Sequence, residues 1–180
     1  MRTGTKIIHG LLYMAVMAAG VVAFLAALNW LPSIMQRDLA RRYATVEDAG
    51  RAAGYNGVLV PKYFPEGLCW PPAFIFAQKR PFKAVVLEFN ESKTGRTALI
   101  VIQSSIGGDE AEKLQRVKLT DIKEQAGYRL KGRDALLQAG LCEGSTPCSR
   151  ITWQEDGLYT SVLYTSYPVE LIRIANSMLH

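Results

Sequence analysis

Two periodicities divide the chain. From Ile7 to Leu31 the only strongly polar side chains are His9 and Asn29, and the 18 residues from Leu11 to Leu28 carry no charge. An α-helix rises about 1.5 Å per residue, so about 20 apolar residues cross a hydrocarbon core of about 30 Å. The segment predicts one transmembrane helix, with Tyr13 near one end and Trp30 at the other, where interfacial aromatics are favoured. Beyond it the pattern turns to period two. Alternating or near-continuous apolar runs predict strands over Ala73–Gln78, Lys83–Asn90, Arg96–Ser104, Arg116–Lys123, Tyr128–Arg133, Ala135–Ala139, Ser149–Gln154 and Leu158–Thr165. In the second of these Val85, Leu87 and Phe89 share a face opposite Ala84 and Val86. In the third Ala98, Ile100 and Ile102 oppose Leu99 and Val101. Strands apolar on both faces belong in the middle of a sheet.

Helical signals bracket the strands. Thr45-Val46-Glu47-Asp48 reads as an N-cap with first-turn acids, opening a short helix that ends near Gly54. The prolines of Leu59-Val60-Pro61-Lys62-Tyr63-Phe64-Pro65-Glu66-Gly67 then impose an extended path. After Pro168 the period returns to helical, with Leu171, Ile174 or Ala175, and Met178 forming a stripe that must be buried against the sheet. The expected fold is therefore α+β: a single N-terminal transmembrane helix, then a twisted antiparallel β-sheet of about five to seven strands with the C-terminal helix packed on it. The expected organisation is a transmembrane signal anchor over 1–32, a juxtamembrane helical stalk over 33–55 and an antiparallel-sheet domain over 56–180. A cleaved signal peptide is the rival for the first segment, but its apolar region runs to only about 7–15 residues.

Charge changes the picture by its distribution. The net charge is +5 over 180 residues; residues 1–55 hold six Arg/Lys against three Asp/Glu, and residues 56–180 hold fifteen against thirteen. The folded part is nearly balanced, and a nucleic-acid partner is not expected. Arg129, Lys131 and Arg133 alternate along an extended run and read as one solvated strand face. His9 and His180 are the two histidines, so the soluble interior has none for a Ser-His or Cys-His pair. Neither the P-loop nor the dinucleotide glycine motif occurs, and Gly107-Gly108 before Asp109-Glu110 reads as a turn. No catalytic residue, cofactor or metal ligand is expected, and the chain is read as a non-enzyme.

Two features remain as candidate sites. Tyr63, Phe64, Trp70, Phe74 and Phe76 cluster among four prolines and form a candidate binding surface, although the same set would serve to clamp the first segment against the sheet. Five residues separate Cys142 from Cys148 across a Gly/Pro turn, a spacing that suits a disulfide pinning a hairpin. Cys69 is the odd thiol; burial in the core, a link to another chain and ligand binding are all open to it. Charge leaves the orientation of the anchor ambiguous, with Arg2 and Lys6 on one side and Arg37, Arg41 and Arg42 on the other. The cysteine pair breaks the tie, because a disulfide needs an oxidising compartment and so places the domain outside the cytoplasm.

Residues 45–179 resemble a small bacterial extracytoplasmic domain family of unknown function, found in membrane-anchored proteins, lipoproteins and anti-sigma-factor-like regulators. The resemblance rests on an ordered set of short motifs: the Thr45–Tyr55 helix leading into Leu59–Gly67, the Tyr128–Leu136 segment turning at Gly132, Thr152–Tyr159, and Glu170–Met178. The Cys142–Cys148 loop looks like a local addition. The resemblance implies a single-pass protein of the bacterial inner (cytoplasmic) membrane. Its bilayer contact would run through residues 7–31, and its C-terminal domain would sense or hold a protein partner in the membrane or envelope. It carries no catalytic residues to transfer. The alternative function is a single-span accessory subunit of a larger membrane complex, for which the small residues of the anchor would supply close helix packing.

Overall fold

The computed structural model describes residues 14, 16–22, 25–26, 40–142 and 145–179. The described positions between Met14 and Ala26 are helical; the rest of the expected 7–31 anchor, and the stalk as far as Leu39, lie outside the described residues. Among the described residues no helix is long and apolar enough to cross a membrane. One compact unit spans Ala40–His180. Its elements are β1 (Arg41–Arg42), α1 (Val46–Ala53), β2 (Phe74–Gln78), β3 (Ala84–Asn90), β4 (Thr97–Ser104), α2 (Asp109–Glu112), β5 (Leu119–Leu130), β6 (Arg133–Cys142), β7 (Thr146–Glu155), β8 (Leu158–Tyr164) and α3 (Pro168–Met178).

The eight strands form one open sheet in the order β1-β2-β3-β4-β8-β7-β6-β5, every pairing antiparallel. Each half is an up-and-down meander, and β4 pairs with β8 to join them. One face carries the main core. Val85, Leu87, Leu99, Val101, Ile151 and Val162 are all within 1% of full burial and pack beneath α1 and α3. The 105–118 connection, which includes α2, crosses the other face and covers Val86, Ile100 and Ile102 with Ala111, Leu114 and Val117. Both faces of β3 and β4 are thus buried, as their continuous apolar runs require.

Local chemistry sets the element ends. The Thr45 hydroxyl accepts from the Asp48 N–H at 3.1 Å, and Gly54 closes α1 with a φ of 78°. The β5–β6 and β7–β8 turns put two consecutive residues at positive φ, Lys131-Gly132 and Asp156-Gly157, which matches the right-handed twist of the flanking strands. In α3, Pro168 takes the first turn, Leu171 and Ala175 are fully buried and Arg173 is exposed, in keeping with the helical stripe. Ser177 fastens α3 to the proline-rich segment: its Oγ accepts from the Lys62 and Tyr63 N–H groups at 3.0 and 3.1 Å.

Four expectations are corrected. The sheet has eight strands rather than five to seven, since the short edge strand β1 joins it. Residues 41–55 are not part of a stalk. Arg41 and Arg42 add a short edge strand, and Val46, Ala49 and Ala53 are buried in the core, so the compact unit begins at Ala40 rather than at residue 56. Arg116–Lys123 and Tyr128–Arg133 are not two strands. Their Leu119–Lys123 and Tyr128–Leu130 portions fall on one 12-residue edge strand, β5, exposed on both faces from Thr120 to Gly127, so no apolar alternation marks its middle; Arg116–Lys118 lie in the connection before it and Arg133 opens β6. Lys131 leaves the expected basic face for the turn, where its Nζ donates to the Leu179 carbonyl at 2.8 Å.

The Cys142–Cys148 disulfide is present, with the Cα atoms 5.6 Å apart, and it is buried against Leu119 and Leu163. Cys69 is free and exposed. So short a loop contributes at most about 2–3 kcal/mol through chain entropy. Reduction should therefore raise amide exchange around the β6–β7 hairpin while Val85–Phe89 stays protected; loss of protection in β3 on reduction would overturn this. Gly140 supplies a sharper test. The register of β5 shifts between Leu119 and Asp121 and again between Ile122 and Glu124, and these bulges press its backbone over β6. A Cβ on Gly140 would stand 1.9 Å from the Asp121 carbonyl oxygen, whereas one on Gly127 would meet nothing within 4 Å. Gly140→Ala should cost about 1–3 kcal/mol in denaturant unfolding, and Gly127→Ala less than about 0.5 kcal/mol.

Candidate functional site

The chain-entry end of the sheet is where Arg41 of β1, the β2–β3 loop, the end of β4 and the starts of β6 and β8 gather, because the antiparallel register aligns them. A cleft of about 800 Å³ opens there. One wall is the Tyr55–Leu59 segment that follows α1, with Lys83 and Ser105 beside it; the other is Arg133, Glu155–Leu158 and the end of α3 at Met178 and Leu179. Thr160 is buried between the two walls.

The first wall is held by a side chain that imitates a strand. Gln103 of β4 is fully buried on the helix-covered face. Its Oε1 accepts from the Leu59 N–H at 2.8 Å, and its Nε2 donates to the Leu59 carbonyl at 2.6 Å. Both polar groups of the amide are thereby satisfied, as burial demands. The Tyr55 hydroxyl donates to the Lys83 carbonyl at 2.9 Å, and burial pushes its pKa up to about 12, so it remains a neutral donor. On the second wall Arg133 forms an ion pair with Glu155, and Asp156 projects from the tight turn. The cross-strand partner of Thr160 is Trp153, whose buried indole Nε1 finds no acceptor among the described residues. The cleft combines apolar side chains with a charged rim, which is the make-up of a binding groove. Among the described residues no three or more His, Cys, Asp or Glu side chains gather as a metal centre.

The five aromatics singled out from sequence do not converge, and none lines the cleft. Phe64 and Trp70 bear on Phe89 on the helix-covered face, with ring centroids 5.3 and 6.4 Å away, and the Tyr63 hydroxyl donates to Glu170 at 2.7 Å. Phe74 and Phe76 stack 6.2 Å apart on the opposite face. The Arg42 and Arg116 guanidinium groups each lie 4.7 Å from the Phe74 ring. The set is split because residues two apart in β2 share a face while Ile75 between them points into the main core. Of the five, Trp70 alone is about half exposed, at 48%.

A buried acid lies next to this aromatic pair. Glu88 of β3 is fully buried, neither carboxylate oxygen has a hydrogen-bond donor among the described residues, and the Arg116 Nε stands 3.6 Å from Oε2. Burial raises its pKa above the ordinary 4.5, and the Arg116 charge only partly opposes this. The signal for Glu88 in the sequence is its position, an acid interrupting the apolar run of a strand expected to be covered on both faces. Comparison with protein-family models, curated proteins and solved structures finds no match to the chain.

The sign of the Glu88 effect follows from linkage. The folded protein holds this proton more tightly than the unfolded chain, so stability falls as pH rises from the ordinary carboxyl range through the raised value. Glu88→Gln should therefore melt higher than the parent at about pH 7, with the gap closing toward about pH 4 where both states are protonated. A variant that melts lower at neutral pH would mean that the ion pair with Arg116 outweighs desolvation.

Proposed function

We propose that this chain is a membrane-anchored extracytoplasmic binding module, non-catalytic, whose cleft holds a protein partner in the membrane or envelope. The observation that carries this reading is the cleft between the Tyr55–Leu59 segment and the β7–β8 turn, which offers the half-buried Val58 and Leu158 to apolar side chains and the exposed Lys83 and Asp156 to polar ones. The uncharged stretch from Leu11 to Leu28 supports the anchor, and the Cys142–Cys148 bond supports an oxidising compartment. The resemblance of residues 45–179 to the bacterial extracytoplasmic family supports the same placement, in the inner membrane with the domain outside the cytoplasm.

A photo-crosslinking amino acid at Asn56, on the rim of the cleft, tests the reading in native membranes against the same group at Thr94, at the opposite end of the sheet. A discrete protein adduct from position 56 and none from 94 is expected. Equal labelling from both positions, or none from 56, would overturn the assignment of the cleft.

A further inference from the structure

We propose that the chain-entry end of the domain docks on anionic phospholipid headgroups, through Arg41 and the β2–β3 loop residues Lys79, Arg80 and Lys83. The proposal rests on the reading of residues 7–31 as a membrane anchor, and it adds a second, electrostatic contact with the bilayer.

The first observation is the register. Arg41 pairs with Ala77 and Arg42 with Phe76, so Arg41 lies beside the end of β2 that leads into Lys79 and Arg80. Eight residues, 32–39, separate the apolar stretch from Ala40. Fully extended they reach at most about 30 Å. With residues 7–31 read as an anchor, the headgroup layer lies within this reach of Ala40.

The second observation is charge. Arg41, Lys79, Arg80 and Lys83 are all exposed, and among the described residues none has a carboxylate within ion-pair distance. The described cations closer to acids are spent: Arg133 on Glu155, Arg150 on Glu112, Arg173 on Glu170. The acids at this end include Glu155 and Asp156, which stand across the cleft from Lys83, and Asp134 at the start of β6; Glu155 is already engaged by Arg133 and Asp134 by Arg129. The opposite end interleaves Lys93 and Arg96 with Glu66 and Glu91, which leaves no comparable excess.

The third observation is that the loop is held in place. Gln78 Nε2 donates to the Phe82 carbonyl at 3.2 Å, the Lys83 N–H donates to Ser105 Oγ at 3.2 Å, and the Ser105 N–H returns a bond to the Lys83 carbonyl at 2.9 Å. The three cations therefore stand on a braced turn whose backbone loses little freedom on binding, and the Lys83 Nζ also donates to the Gly54 carbonyl at 3.4 Å. Guanidinium forks and ammonium groups both recognise phosphate, and each basic residue at an anionic bilayer surface strengthens contact about fivefold.

The test uses the full chain in vesicles of phosphatidylcholine, alone or doped with phosphatidylglycerol, with nitroxide-headgroup lipid as quencher. A fluorophore is placed at Asn56→Cys or, as the far-end control, at Thr94→Cys, each in a Cys69→Ser background. Quenching at 56 should exceed that at 94, rise with phosphatidylglycerol, and fall when salt rises from about 0.1 to about 1 M and the screening length shrinks from about 10 to about 3 Å. Lys79→Glu/Arg80→Glu/Lys83→Glu should cut the docked population more than about tenfold, and Arg80→Gln alone by several-fold, which keeps the test decisive if the triple variant misfolds. Flotation separates the two readings. A chain that fails to float with neutral vesicles overturns the anchor and the docking together. A chain that floats, yet quenches equally at 56 and 94 or ignores phosphatidylglycerol and salt, overturns the docking alone.

Discussion

The pairing of β4 with β8 is what makes this domain one object. Without it the chain would be two separate four-strand meanders, each presenting a bare apolar edge. The register runs from Leu99 opposite Tyr164 to Ser104 opposite Tyr159, joining positions some sixty residues apart. Its closure entropy must be met by burial, and the residues at the seam show how. Val101 and Val162 are both fully buried on one face, and Ile100 and Leu163 on the other, each with 1% exposure or less. The cleft depends on the same seam. Lys83, Ser105 and the Tyr55–Leu59 segment come with the first meander, while Arg133, Glu155–Thr160 and the end of α3 come with the second. Anything that loosens β4 from β8 would separate the walls before it exposed the strands at the edges.

The two faces of that sheet treat buried polarity in opposite ways. On the helix-covered side Gln103 is fully buried but meets both backbone groups of Leu59, so its desolvation is offset by two hydrogen bonds, and the extended segment is fixed as a wall. On the other side Glu88 is equally buried, and among the described residues its ion-pair partner is the Arg116 guanidinium, at 3.6 Å, with no hydrogen-bond donor to either oxygen. Removing one partner from the first arrangement would leave orphaned amide groups in the core. Neutralising Glu88 would instead remove a cost. The first is an element of construction and the second a source of pH dependence, although both lie on adjacent central strands.

How much of this was legible in the sequence depends on where each signal resides. The two central strands, the Thr45 cap, the Asp156-Gly157 turn, the Leu171–Met178 stripe and the Cys142–Cys148 spacing are local patterns, and local patterns can be read from one chain. Strand β5 was misread because an edge strand exposed on both faces carries no apolar alternation; it is held by ten pairings to β6 rather than by burial. Strand β1 escaped because two arginines have no strand character of their own and pair only because β2 offers an edge. The candidate site was the least legible part. Its walls come from positions between 55 and 179, and what unites them is the β4–β8 register, which leaves no mark at any single position. The five aromatics divide between the two faces for a different reason: Phe74 and Phe76 share a side opposite Ile75, as the period of two in β2 requires.

Net charge conceals the organisation that matters at the surface. Residues 56–180 are close to neutral, with fifteen basic against thirteen acidic side chains. That sum counts Arg133 and Lys79 alike, although one is neutralised by Glu155 and the other has no described carboxylate partner. Folding sorts the charges in two steps. Cross-strand and helical neighbours first pair Arg129 with Asp134, Arg150 with Glu112 and Arg173 with Glu170. What remains is set by topology, because every turn at one end of an up-and-down sheet brings its loop residues to the same plane. The β2–β3 loop and the start of β1 share such a plane, and both are basic. A nearly neutral domain thus acquires one cationic end, on the side from which the chain arrives, through strand register rather than through composition.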